Sequence, residues 1–297
     1  MKVLVSGASG LVGSALGARL GEDGHGVVPL VRREPQEGQV RWDPRTPCID
    51  EGGLEGVDWV VHLSGENIAG RRWSAAQKAE IRASRVDSTR FLCEALAKLE
   101  KPPAVVACAS AIGYYGDRGD EVLREDSGVG SGFLSETSAA WEEAALPASE
   151  RGIRVVHLRF GILLSIHGGA LVKMLTPFKL GVAGRIGSGS QYMSWISMHD
   201  AIRCIVHALE TESLAGPVNV VAPDPVTNAE FTRTLGKVLR RPTFFPLPAF
   251  AARLVLGEMA DALLLASSRV EPARLLEYGF HFRHTDLEET LRHLLGK

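Results

Sequence analysis

The chain has 297 residues, 45% hydrophobic and 23% charged, with a formal net charge of -2. It is long enough to bury the core of one large α/β domain, alone or with a small appendage. The charge balance argues against a nucleic-acid surface, because phosphate-backbone binders need a basic face; Arg71-Arg72 and Arg240-Arg241 read as isolated, solvated pairs. Cys48, Cys93, Cys108 and Cys204 are scattered, and neither a Cys-x-x-Cys nor a His-Glu-x-x-His spacing suggests a metal site. Buried free thiols in a reducing compartment are expected. The first strand starts almost at residue 1, which leaves no room for a targeting peptide. The most apolar segment, Ala249 to Ala266, is interrupted by Arg253, Glu258 and Asp261, so it is expected to be an amphipathic core helix and not a membrane span. The expectation is a soluble, cytoplasmic protein with neither nucleic acid nor membrane as a partner.

Val3 to Leu20 organises the chain. A β-branched run meets Gly7, Gly10 and Gly13, and an apolar helical pattern follows through Val12, Leu16 and Leu20, predicting strand, glycine turn and helix. One glycine lets the chain turn sharply, one lets a pyrophosphate approach the backbone, and one lets helix and strand touch. The helix start, Ser9 to Gly13 with Leu11 and Val12, offers free N–H groups and a positive dipole end to that anion. The Gly-x-x-Gly-x-x-Gly spacing resembles the extended short-chain dehydrogenase/reductase superfamily, which contains sugar-nucleotide epimerases and dehydratases.

A second strand, Gly26 to Val31, ends at Arg32-Arg33. NAD enzymes carry an acidic residue about 20 residues past the glycines for the ribose hydroxyls. Two guanidinium groups there suit a 2′-phosphate instead, which favours NADP(H). Val40 to Asp43 reads as a short third strand. Asp58 to Gly65 reads as a buried parallel strand whose small end, Leu63-Ser64, leaves room for a cofactor. Ser74 to Gln77 is a capping box opening a helix to about Leu99. Gln77, Glu80, Ser84 and Arg85 lie within a turn or two of one another on it, Glu80 and Arg85 being cofactor candidates and Arg85 spaced to reach back toward the phosphates.

The next strand, Ala104 to Cys108, runs into Ala109-Ser110-Ala111-Ile112-Gly113-Tyr114-Tyr115-Gly116. The resemblance places a catalytic serine here, and Ser110 fits with one extra residue before Gly116; its hydroxyl would hydrogen-bond a substrate carbonyl or alcohol. The superfamily then requires Tyr-x-x-x-Lys on the following helix, where lysine tunes the tyrosine and tyrosine moves the proton. Counting back from Trp141-Glu142, those positions hold Leu134 and Ser138. A substitute acid must come from elsewhere: Tyr114 or Tyr115 is the nearest hydroxyl, and Glu66 and Asn67 could also face the nicotinamide.

Val155 to Leu164 is the sixth strand, with Gly161 where family members pass their backbone beside the nicotinamide. Gly181, Gly184, Gly187 and Gly189 mark a substrate loop within about 165–195. Gln191 to Asp200 resembles the family's Arg-Asp-Tyr-Ile-His-Val-x-Asp segment, keeping Asp200 but lacking the arginine that pairs a sugar-nucleotide diphosphate. Gln191 and Trp195 would suit a neutral, flat or apolar substrate, or simply pack. Asn219 to Pro223 is one more strand, and Thr227 and Asp286 open helices. The predicted architecture is α/β: a Rossmann-type, doubly wound parallel sheet over 1–217 and a small, mostly helical lid over 218–297, with ligands at the interface.

Gly7 to Gly13, Leu63 to Ile68, Arg72-Trp73, Ser84-Arg85, Ser110 to Gly116, Phe178 to Gly181, Gln191 to Trp195 and Val226 to Phe231 together resemble the "epimerase family" of atypical short-chain dehydrogenase/reductases. Gly257 to Ala260 and Leu263 to Ser267 match its C-terminal domain of unknown function. The resemblance covers nearly the whole chain and implies NADP(H) binding without a known reaction, since fold is weak evidence for chemistry. It leaves room for a homodimer, because superfamily members often pair through helices flanking the catalytic strand. Two readings stand: an NADP(H)-dependent oxidoreductase or epimerase acting on an unidentified small molecule, or a catalytically silent binder whose NADP(H) occupancy sets the lid.

Overall fold

The computed structural model describes residues 1–297. Its centre is β1 (Lys2–Ser6), where Val3, Leu4 and Val5 are fully buried. Alternation sends them to opposite faces: Val3 and Val5 pack with Leu16 and Leu20 of α1 (Leu11–Glu22), and Leu4 with Leu92 and Leu96 from the far side. The chain continues through β2 (Gly26–Val31), β3 (Val40–Asp43), β4 (Cys48–Ile49), the short α2 (Glu51–Leu54) and β5 (Trp59–His62). It then forms the long α3 (Ala75–Lys98) and β6 (Val105–Ala111). Strands Arg154–Phe160 and Gly216–Val220 complete an eight-stranded sheet, ordered Gly216–Val220, Arg154–Phe160, β6, β5, β1, β2, β3, β4. All neighbours are parallel except β3 and β4. The order reverses at β1, so the crevice beyond β1 and β5 is the switch point where such sheets take ligands.

The expected helix starts are present. Ser74 accepts from the Gln77 N–H, Thr227 and Glu230 form a reciprocal capping box, and Asp286 accepts from the Glu289 N–H. Cys93, Cys108 and Cys204 are buried free thiols, while Cys48 is exposed. No helix is long and apolar enough to cross a membrane.

Two expectations need correcting. The boundary drawn after residue 217 cuts through Gly216–Val220, which pairs with Arg154–Phe160 in the main sheet. The C-terminal part is mostly helical but firmly stitched in: Leu275 and Phe280 belong to the main core, and Arg269–Val270 pairs in parallel with Val122–Leu123. Nor is Ala249 to Ala266 one core helix. It is helical over Ala249–Leu256, turns at Gly257 with φ +63° and continues as short helical pieces over Glu258–Ala260 and Asp261–Leu265, leaving Phe250, Leu254 and Val255 exposed.

Beneath the crevice, the Ser6 hydroxyl accepts from the Leu63 and Ser64 N–H groups at 3.0 and 3.2 Å and meets His62 Nδ1 at 2.7 Å. As an acceptor for two amides, Ser6 donates its proton to a neutral imidazole. Burial pushes the His62 pKa down to about 4 from 6.5. The unfolded chain therefore binds the extra proton first, and stability is lost as pH falls from 6.5 toward 4. The loss from this group is about 3 kcal/mol. Urea titrations across that range should show this slope, and His62→Gln should flatten it.

Candidate cofactor site

The turn between β1 and α1 leaves no room for a side chain at Gly7 or at Gly13. Gly7 has φ +69°, and an added Cβ would stand 3.0 Å from the Leu63 carbonyl; at Gly13 it would stand 2.2 Å from the Gly7 carbonyl oxygen. Gly10 opens α1 in extended conformation with no side-chain cap. The Leu11, Val12 and Gly13 amides therefore have no intrahelical acceptor, and Ser9 and Gly10 are exposed beside them. This is an anion cradle, with the helix dipole's positive end behind it. Leu63 and Ser64 form its second wall. Across it, Gly168 and Gly169 pass Leu11, whose side chain would lie 3.4 Å from a Cβ at either position.

Arg32 and Arg33 stand exposed just past β2, while the neighbouring Glu34 pairs with Arg41. Two other candidates have protein partners. Glu80 is ion-paired with Arg45. Arg85 was spaced to reach toward the phosphates, but its guanidinium donates to the Ile81 and Glu66 carbonyls at 3.1 and 2.9 Å, lies against Gly65 and stands over the Trp141 ring. Burial brings its pKa down to about 10. Its evident work is to hold the turn after β5, where Glu66 meets Gln77 and the Asn67 side chain accepts from the Ala69 N–H.

At the end of β6 the structure builds a network that the sequence did not announce. The Ser110 hydroxyl donates to Glu142 Oε1 at 2.7 Å, and Arg159 grips both carboxylate oxygens at 2.8 Å. Arg159 Nη1 also donates to the Tyr115 hydroxyl at 2.9 Å, and that hydroxyl donates to Asn219 Oδ1 at 2.7 Å. The guanidinium lies 3.6 Å from the Tyr114 ring centroid. Burial works against the Arg159 charge, but the two bonds and the charge of Glu142 outweigh it, so its pKa is raised. Burial pushes the Tyr115 phenol up to about 12. The Ser110 hydroxyl expected to meet a substrate is thus committed to Glu142, with the side chain buried. The signal that could have found this network is Arg159 itself, a charged residue amid the buried Arg154–Phe160 strand.

Leu134 and Ser138 occupy helix Phe133–Glu143 and face the turn after β6: a Cβ at Gly113 would meet Leu134 Cβ at 3.4 Å and Ser138 Oγ at 4.0 Å. Gly161 is required by packing, since a Cβ there would fall 2.6 Å from the Ser194 carbonyl oxygen. Of the two substrate readings, Gln191 and Trp195 take the packing one. Both are buried, Gln191 donating to the Ile186 and Leu264 carbonyls and Trp195 to that of Asp224. His199, Asp200 and His284 bring ligand-type atoms within 4.8 Å of one another. The Asp200 carboxylate, however, already accepts from Arg203 Nη1 and from the Arg283 and His284 amides. It works as a clamp for the C-terminal segment.

A doubly wound sheet with a glycine cradle at its switch point defines a dinucleotide-binding fold of the short-chain dehydrogenase/reductase type. The sequence pattern of the NAD dependent epimerase/dehydratase family matches residues 3–221, and the chain belongs to that family. A domain of unknown function, DUF1731, matches residues 247–294. The chain is similar to epimerase family protein MT2273 of Mycobacterium tuberculosis, 44% identical over 290 residues, 97% of this chain and 96% of the relative. It is also similar to the human epimerase family protein SDR39U1, 38% identical over 300 residues and the full length of both. The crystal structure of human SDR39U1 (isoform 2) with NADPH superposes with a TM-score of 0.92 at 36% identity, covering 100% of this chain and 99% of that one.

Removing one partner of the buried ion pair leaves the other charge stranded. Glu142→Ala should cost about 3–5 kcal/mol in a denaturant titration. Ser110→Ala, which leaves the Arg159 pair standing, should cost about 1–3 kcal/mol in the same titration.

Proposed function

We propose that this protein binds NADP(H) in the crevice beyond β1 and β5 and is an epimerase- or reductase-like enzyme acting on a small carbonyl or alcohol. What carries the reading is the uncapped start of α1 behind Gly7, Gly10 and Gly13, where a single Cβ at Gly13 would collide with the Gly7 carbonyl. The likeness of the whole chain to human SDR39U1, crystallised with NADPH, supports it. In this reading the amides of Leu11 to Gly13 hold the diphosphate, Arg32 and Arg33 take the 2′-phosphate, and Leu63 and Ser64 border the dinucleotide's path. When bound, the nicotinamide supplies or accepts a hydride.

The chain's own contribution is binding, exclusion of water and a proton. With Leu134 and Ser138 in place of tyrosine and lysine, and the Ser110 and Tyr115 hydroxyls tied into the Arg159 network, Tyr114 Oη is the phenol without a partner in that network. It is the proton donor in this proposal, with Arg159 fixing its ring. A second reading, an NADP(H)-responsive binder without turnover, is favoured by the same loss of the tyrosine and lysine. Buried Cys93, Cys108 and Cys204 and the exposed Cys48 suit a reducing, cytoplasmic location.

Calorimetry separates cofactor choice from binding itself. Arg32→Glu should weaken NADPH by about tenfold or more and leave NADH little changed. Gly13→Ala should weaken both. Incubation with NADPH and a broad panel of carbonyl compounds, followed by nicotinamide absorbance, should show oxidation that Tyr114→Phe abolishes. Tight binding without oxidation across the panel would favour the silent binder.

A further inference from the structure

The segment after Pro242 carries the largest exposed apolar side chains of the molecule. Phe244 is 82% exposed, Phe250 73%, Leu254 77% and Val255 68%. Leu180 and Val182, at 72% and 55%, stand on the loop beside them. The two stretches adjoin through backbone hydrogen bonds: Phe245 N–H to the Ala183 carbonyl at 3.3 Å, and Leu247 N–H to that of Arg185 at 2.9 Å. Single exposed apolar residues are ordinary, but a contiguous group on adjoining segments marks an interaction surface.

The same face is bordered by cations. Lys179 immediately precedes Leu180, and Arg240-Arg241 immediately precede Pro242. At the foot of Phe244 a cavity of about 290 Å³ is lined by Arg185, Arg233, Thr232 and Thr243. The acidic groups nearby are engaged: Glu230 closes the Thr227 capping box, Asp261 pairs with Arg253, and Glu258 with Lys78.

We propose that this face docks the protein on an anionic lipid surface, with Phe250 and Leu254 entering the headgroup boundary and a lipid phosphate held between Arg185 and Arg233. The helix Ala249–Leu256 presents Phe250 and Leu254 four residues apart, on one side. Basic residues at the rim match a negative leaflet. A two-fold pairing of two copies through the same face would set these cations against their own images. The aromatic side chains also project instead of lying in a groove, which suits a fluid interface better than a protein pocket. Such docking departs from the sequence expectation of no membrane partner, which rests on the lack of a spanning helix; contact through a surface face needs none.

Flotation of the full-length protein tests the proposal, using vesicles of phosphatidylcholine alone and of equal parts phosphatidylcholine and phosphatidylglycerol. The protein should float with the anionic vesicles only. The double variants Phe250→Ser with Leu254→Ser and Arg185→Glu with Arg233→Glu should each lower the bound fraction about tenfold, with circular dichroism and melting unchanged. Failure to bind the anionic vesicles, or flotation of the variants as full as that of the unaltered protein, overturns the proposal. It is also overturned by a dimer in light scattering that the Phe250 and Leu254 double variant dissolves, which would assign the face to a second copy. Calorimetric binding of inorganic phosphate that needs Arg185 and Arg233, without flotation, would make the cavity a free-anion site and overturn it too.

Discussion

The close approach of α1 to β1 is the constraint from which the rest of the site follows. Gly13 rests so near the Gly7 carbonyl that no larger residue fits, and Gly7 turns against Leu63 with the same tightness. That contact brings the free amides of a helix to the end of two buried strands, at the point where the sheet reverses its order. The Ser6 hydroxyl completes the arrangement from below, tying the Leu63 and Ser64 amides and a neutral His62 into one unit. An anion-binding surface is thereby built from backbone alone, held rigid by packing and not by charge.

The opposite end of the crevice follows a different logic. Where the superfamily places a tyrosine and lysine, this chain packs Leu134 and Ser138 against the Gly113 turn. Charge reappears one turn further along the helix as Glu142, paired with Arg159 from the adjacent strand. A buried bidentate pair contributes little net stability against an apolar alternative, yet it imposes strict geometry on what surrounds it. Here that geometry includes Ser110, Tyr114, Tyr115 and Asn219. An ion pair thus orders the phenol-rich corner of this chain.

Elements whose signal is local were legible in the sequence. The glycine turn, the capping residues Ser74, Thr227 and Asp286, and the buried apolar strands depend on neighbours within a few positions. Pairings between distant segments were not legible, because spacing carries no record of them. Helical spacing alone points Arg85 at phosphates, whereas its partner, the Glu66 carbonyl, lies 19 residues back on a turn whose path the sequence does not reveal. Ser110 was read from its motif, but its partner Glu142 is 32 residues away on another helix. Hydropathy marks the Ala249 to Ala266 stretch as core because it reports apolar content without saying what the content faces.

The stitching of the C-terminal part into the sheet bears on how a ligand could enter. Leu275 and Phe280 anchor in the principal core, Arg269–Val270 extends a ladder begun by Val122–Leu123, and Asp200 clamps the Arg283 and His284 amides. Swinging this region outward as a rigid body would tear all three. The C-terminal part therefore behaves as a fixed wall of the crevice, and a ligand must come and go without displacing it as a whole.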